Sequence, residues 1–108
     1  MPHSRYLACI EACYACAAAC DHCAASCLNE SHVAHMVDCI RIDLDCAALC
    51  RLAAQIMSRG SEFAAQLCKL CADVCERCAA ICAQYDDEHC QQCARACRQC
   101  AEECRRMS

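Results

Sequence analysis

The sequence predicts an all-α protein, an antiparallel up-down-up-down four-helix bundle with a cysteine-lined core. Cysteine occurs 19 times in 108 residues and recurs along most of the chain at alternating intervals of three and four. This mean interval of about 3.5 residues keeps side chains on one stripe of a helix, where they face partner helices. Glycine and proline each occur once, so turns are few and helix is favoured throughout.

Three short breaks divide the chain into four helices within a single domain, 1–108. Ser31 offers an N-cap for the second helix, because its hydroxyl can accept from exposed amides. Gly60 is a stop for that helix, and Ser61 caps the third. The acids at 86–88 lie where the fourth helix has its positive end. Short connections favour antiparallel neighbours, and we place the helices at about 4–28, 32–57, 62–84 and 87–106.

Each predicted helix carries its own row of cysteines. The rows are Cys9, Cys13, Cys16, Cys20, Cys23 and Cys27; Cys39, Cys46 and Cys50; Cys68, Cys71, Cys75, Cys78 and Cys82; and Cys90, Cys93, Cys97, Cys100 and Cys104. At the rise of an α-helix the first row is about 27 Å long. Four such rows would line a long, narrow tube of thiols.

The Cys-x-x-x-Cys spacing suits a metal ion held by two sulfurs. Residues four apart on a helix have Cβ atoms about 5–6 Å apart, and two sulfurs bridged linearly by a metal lie roughly 4.5 Å apart. Pairs such as Cys9/Cys13 and Cys78/Cys82 can therefore bind a two-coordinate ion without distorting the helix. Thiolate is a soft ligand that selects Cu(I) among common biological ions.

Charge favours the same ion. Nineteen thiolates carry 19 negative charges, and uncompensated buried charge is costly. Multiple Cu(I) ions, about one per thiolate, neutralise the core, whereas about five zinc ions at four thiolates each leave roughly ten negative charges. Without metal the thiols stay protonated and pack as small hydrophobic groups, so we expect the apo bundle to fold.

Composition excludes several other classes of protein. The net charge is −4, and Lys69 and nine arginines are scattered among the acids, so no basic stripe indicates nucleic acid. We also expect no membrane-spanning run of apolar residues, and residues 1–7 lack the apolar stretch of a secretory signal. These features favour a cytoplasmic protein, where reduced thiols indicate metal rather than disulfides. No catalytic constellation stands out, so we predict no enzymatic activity.

Three features of the sequence are informative together: the Cys-x-x-x-Cys-x-x-Cys runs, the segment Cys39-Ile40-Arg41-Ile42-Asp43, and the segment His89-Cys90-x-x-Cys93-Ala94. In these features the chain resembles the cytosolic class of bacterial copper storage proteins. The resemblance covers essentially the whole chain. It implies a homotetramer of bundles, Cu(I) held mainly by cysteine pairs, and an opening at one end of each bundle. For a copper store, we expect copper donor or acceptor proteins or low-molecular-weight thiols as partners.

Three further residues are candidate ligands. His35 precedes Cys39 by four and His89 adjoins Cys90, so both are candidates for a weaker-binding transfer port at one end of the tube. The alternative for each is a solvated histidine near a helix start. Asp43 occupies a row position between Cys39 and Cys46. It is either an auxiliary oxygen ligand or thiol acceptor, or a carboxylate that is hydrogen-bonded or paired with arginine.

Three rival functions use the same residue type. A metallothionein-like zinc or cadmium buffer is the main alternative, and the charge count above opposes it. Iron–sulfur proteins typically use Cys-x-x-Cys-x-x-Cys runs, which are absent here. A thiol–disulfide enzyme places its Cys-x-x-Cys at a helix start beside a strand, whereas these motifs lie within helices.

Overall fold

The computed structural model describes residues 2–108, with side chains from Ser4 onward, and these residues form four α-helices and no strand. The helices are α1 (Pro2–Leu28), α2 (Val37–Ser58), α3 (Ala64–Cys82) and α4 (Glu88–Met107), with a short 3-10 helix at Val33–His35. Sequential helices pack on each other, and α1 also packs on α4, which closes the bundle. The predicted up-down-up-down bundle is confirmed, and it measures 48 × 18 × 17 Å.

The turns decide where the helices begin and end. Gly60 has a φ of 65°, and its amide donates to the Met57 carbonyl while the Ser61 amide donates to the Ile56 carbonyl. These two bonds form a Schellman motif, for which a residue without a Cβ is favoured. The Ser61 hydroxyl accepts from the Phe63 amide at 3.1 Å.

The connection between α1 and α2 differs from the sequence expectation. α2 begins at Val37 rather than at residue 32, and no side chain caps it. Residues 33–35 instead form a 3-10 turn, in which the Met36 amide donates to the Val33 carbonyl at 2.9 Å. α3 is also shorter than expected at both ends, spanning Ala64–Cys82.

The core consists almost entirely of thiols and methyl groups. Apart from alanines and Ile10, every buried side chain in the described part carries sulfur or a carboxylate: the 19 cysteines, Met36, Met57 and Asp43. Because alanine is small, backbones approach closely and the cysteine rows meet along the bundle axis.

One composition-based expectation was wrong. α1 contains an 18-residue window with a mean hydropathy of 1.2, so by length and composition this helix is apolar enough to cross a membrane. The apolar character comes largely from cysteine and alanine, and the whole cysteine row of α1 is buried against α2 and α4. A core helix of this composition meets the same criterion as a membrane span.

Candidate metal centre

All four cysteine rows turn inward. Every one of the 19 cysteines is a free thiol, and none is more than 1% exposed. Six come from α1, three from α2, and five each from α3 and α4. The helical spacing predicted this convergence, because residues at alternating intervals of three and four share one face.

In seven of the Cys-x-x-x-Cys pairs the two sulfurs lie 3.9–4.0 Å apart. The Sγ–Sγ distance is 3.9 Å in Cys23/Cys27 and in Cys46/Cys50, and it is 4.0 Å in Cys16/Cys20. Linear coordination needs roughly 4.5 Å at a metal–sulfur bond of about 2.3 Å. A small rotation about χ1 supplies that difference, so the backbone already has the geometry that binding requires.

Sulfurs also meet across helices. Cys39 and Cys82 are 3.1 Å apart, and Cys16 and Cys97 are 3.6 Å apart. Groups of four sulfurs lie within 4.8 Å of one another, and five of these groups are Cys13/Cys71/Cys100/Cys104, Cys16/Cys46/Cys50/Cys75, Cys16/Cys20/Cys46/Cys97, Cys20/Cys78/Cys93/Cys97 and Cys23/Cys27/Cys39/Cys90. Three of these groups share members. The other two are linked to them by close contacts, Cys50 to Cys71 at 3.7 Å and Cys39 to Cys82 at 3.1 Å, with Cys82 3.9 Å from Cys78, so the thiols form one continuous set of donors.

Burial favours the protonated form of the thiols when no metal is bound. Burial raises the pKa of Cys27 to about 11, and it also raises the pKa of Cys90. Neutral thiols pack without a charge penalty, which explains how so many can share one core. A metal must displace these protons, so binding is coupled to proton release.

Asp43 lies at the centre of four thiols. Its side chain is fully buried. Oδ1 accepts from Cys78 at 3.3 Å, from Cys82 at 3.4 Å and from Cys93 at 3.2 Å, while Oδ2 accepts from Cys39 at 3.8 Å. Burial raises the pKa of this carboxyl to about 8. Among the described residues it forms no ion pair with arginine, so its partners are the thiols.

His89 lies at one end of the thiol core. Its Nδ1 is 3.6 Å from the Cys23 sulfur, 3.8 Å from the Cys27 sulfur and 3.5 Å from the Cys90 sulfur. Its Nε2 lies 3.3 Å from Oε1 of Glu30. The imidazole is 12% exposed and Glu30 is 34% exposed, so this group of five residues, which we call the mouth, connects the thiols with solvent.

The structure does not bring His35 to the thiols. His35 is exposed, and its backbone carbonyl accepts from the Tyr85 hydroxyl at 2.8 Å. The expectation assumed helical register four residues before Cys39, but α2 begins only at Val37. Met36 takes the inward position and is fully buried.

Glu30 is a contact of the site that the sequence analysis did not identify. A signal was present, because Glu30 follows Cys27 by three and so continues the alternating interval of the first row. Met57 similarly follows Cys50 by seven, two steps further along the α2 row.

Comparison with known proteins gives matches over almost the whole chain. The family model described as copper storage protein matches residues 2–108. The cysteine-rich protein YhjQ of Bacillus subtilis is 50% identical over 61 residues, and that alignment spans 56% of this chain and 56% of the relative.

Solved structures are similar over a longer range. The Cu(I)-bound copper storage protein BsCsp3 is 50% identical, with a TM-score of 0.91 over 94% of this chain and 96% of that one. Apo Csp3 from Bacillus subtilis is also 50% identical, with a TM-score of 0.90 over 94% and 97%. A cytosolic copper storage protein from Streptomyces lividans, with five coppers, is 38% identical and has a TM-score of 0.93 over 98% and 93%.

Proposed function

The chain belongs to the copper storage protein family, and from that premise we propose that it stores many Cu(I) ions, on the order of one per cysteine, inside the bundle. The observation that carries this proposal is the burial of all 19 thiols in one continuous core. Thiolate is the ligand that soft Cu(I) prefers. A store needs many such ligands within reach of each other, shielded from bulk solvent.

Charge distinguishes copper from zinc in this core. Groups of four sulfurs fit tetrahedral zinc as well as copper by distance alone. About five zinc ions would leave roughly ten buried negative charges, whereas one Cu(I) per thiolate leaves none. A zinc or cadmium buffer is therefore the alternative that the experiment below must separate.

We assign the ligands as the 19 cysteines, with His89 and Asp43 as auxiliary donors. Asp43 contacts four thiols and His89 contacts three, so an ion bound to those sulfurs lies within reach of a nitrogen or an oxygen. His89 at the mouth is the residue through which copper enters and leaves. His35 keeps no part in this assignment, because its side chain is exposed.

The setting of the protein is also part of the proposal. We place it in the bacterial cytoplasm, the location named for the Streptomyces relative, as a store without catalytic activity. Val37, Leu44 and Leu70 are 42–54% exposed, and exposed apolar side chains of this kind support assembly into a homotetramer. Donor and acceptor proteins or small thiols would exchange copper at the mouth.

Anaerobic titration with Cu(I) against a competing chelator tests the function. We expect saturation near 19 equivalents, with protons released as copper binds because the buried thiols start protonated. Parallel titration with Zn²⁺, followed by native mass spectrometry, separates the two metals. Saturation with Cu(I) at four or five equivalents, or displacement of bound Cu(I) by Zn²⁺, would overturn the storage proposal.

A further inference from the structure

Three of the 19 cysteines lack a cysteine four residues away on the same helix. The other 16 form the eight pairs Cys9/Cys13, Cys16/Cys20, Cys23/Cys27, Cys46/Cys50, Cys71/Cys75, Cys78/Cys82, Cys93/Cys97 and Cys100/Cys104. The three exceptions are Cys39, Cys68 and Cys90. Each of them has a donor of another kind beside it.

The partners of the three differ in chemistry. Cys39 donates to the Asp43 carboxyl at 3.8 Å, and Cys90 lies 3.5 Å from the His89 imidazole. Cys68 donates to the thioether of Met57, with 3.5 Å between Sγ and Sδ. Met57 is therefore the non-cysteine donor beside Cys68, as Asp43 is beside Cys39 and His89 is beside Cys90.

We propose that Met57 is a metal ligand: its thioether and the Cys68 thiolate together bind one Cu(I) ion at the end of the bundle opposite the mouth. This end, which we call the far end, consists of Cys9, Met57, Cys68 and Cys104. The inference rests on the proposed copper storage function and adds a site to it. It assigns a role to a residue that is otherwise a core side chain.

Burial supports a ligand role over simple space filling. Met57 is fully buried, and no leucine, valine or phenylalanine is buried anywhere in the described part of the chain. Apart from Ile10 and the alanines, the core thus lacks the hydrocarbon side chains that usually fill space and keeps those that carry a donor atom. Methionine does fill gaps in ordinary cores, but here its sulfur lies 3.5 Å from that of Cys68, one of the three thiols without a cysteine four residues away.

The charge of the site is also balanced. A thioether is a neutral ligand, so one Cu(I) bound by Cys68 thiolate and Met57 carries no net charge, and its binding releases one proton. A thioether is soft and suits Cu(I) much better than Zn²⁺. The Sγ–Sδ distance must widen from 3.5 Å towards the roughly 4.5 Å of linear coordination, and the three rotatable bonds of methionine allow this.

Selenium spectroscopy tests the assignment directly. Protein with selenomethionine in place of methionine is loaded with Cu(I) anaerobically, and the selenium K-edge absorption is recorded. We expect a selenium–copper scattering path at bonding distance. The amplitude of that path should decrease by the contribution of one selenium in Met57→Leu. It should stay unchanged in Met107→Leu, a control at the same end of the bundle. Selenium in the Zn²⁺-loaded protein should show no bonded metal.

Two outcomes overturn the inference. One is a wild-type protein without any selenium–copper path; the other is a path that Met57→Leu leaves unchanged. Cys68→Ala provides a second variant that keeps Met57, and the Met57 share of the path should be lost there too. Copper content measured on the same samples separates the two proposals. A wild type that binds near 19 equivalents without the path refutes only the Met57 ligand, whereas one that binds four or five refutes storage itself.

Discussion

The two halves of the thiol core differ in the donors that accompany the sulfurs. Towards the mouth, the cysteines contact a carboxyl in Asp43 and an imidazole in His89. Towards the far end, the donor that accompanies the cysteines and contacts them, among residues 4–108, is the Met57 thioether. In the described part of the chain, the mouth half therefore mixes nitrogen, oxygen and sulfur, while the far half offers sulfur.

On the proposed function, this difference suits the two halves of the core to separate tasks. Cu(I) binds thiolate and thioether sulfur better than it binds carboxyl oxygen, so the far half suits retention. The mixed half offers weaker donors beside solvent, which suits exchange. In this proposal, four helices of similar pattern form a store with two different ends, and the difference comes from Asp43, His89 and Met57.

The largest effect expected in the mouth half is a pH dependence of the apo protein caused by Asp43. The pKa of this buried carboxyl is raised from 3.8 to about 8, so between these values the unfolded chain has lost a proton that the folded protein retains. The free energy of unfolding should therefore fall as pH rises from about 4 to about 8, by several kcal/mol in total. Asp43→Asn should remove most of that slope.

Chemical denaturation of the apo protein under reducing conditions, repeated across this pH range, measures the effect. Asp45→Asn is the matched control, because Asp45 lies on the same helix but is exposed. A wild-type profile that is flat between pH 4 and 8 would contradict the expectation. So would a slope that Asp45→Asn removes equally.

The second effect concerns the rate at which copper passes the mouth. His89→Phe replaces the imidazole that contacts three thiols with a ring of similar shape that has no donor atom. We expect Cu(I) transfer from a chelator to slow by about tenfold, equivalent to about 1.4 kcal/mol in activation free energy, with final capacity nearly unchanged. Stopped-flow absorbance of the chelator measures the rate.

His22→Phe is the control for this experiment, since His22 is exposed and lies off the cysteine row. Equal slowing in both variants would mean that the ring affects the bundle in general. A normal rate in His89→Phe would place the entry of copper elsewhere, and the distinction between the two halves would lose its functional meaning.

The sequence predicts the cysteine rows well and the mouth less well, for a physical reason. A regular helix carries periodicity into space, so the interval of the thiols was enough to place all of them in the core. His35 lies in a connection, where the 3-10 turn at residues 33–35 shifts the register and places Met36 inward. That turn depends on local hydrogen bonds that no periodicity encodes.

Asp43 shows a second limit of the same kind. Its row position predicted burial beside thiols, but the choice between a thiol acceptor and an arginine partner depended on residues from other helices. Cys78 and Cys82 on α3 and Cys93 on α4 supply three of its four contacts. Only the assembled bundle brings them together.

The smallest effect expected is that of Glu30, which contacts His89 rather than the thiols. When Nε2 donates to the Glu30 carboxylate at 3.3 Å, Nδ1 keeps its lone pair directed at the three sulfurs, where a metal needs it. Glu30→Gln weakens the preference for the tautomer in which Nδ1 keeps its lone pair, but it leaves the imidazole of His89 at the mouth. We expect transfer of Cu(I) to slow by about threefold, less than in His89→Phe.

Asp86→Asn is the control for Glu30, because it removes one negative charge from the adjoining loop, where Asp86 is exposed. If both variants slow transfer equally, Glu30 acts through general attraction of the cation, and raising the salt concentration should abolish the effect of both. If only Glu30→Gln slows it, the carboxylate acts by orienting the imidazole. The difference between the two ends of the store then depends on a hydrogen bond as well as on the donor atoms themselves.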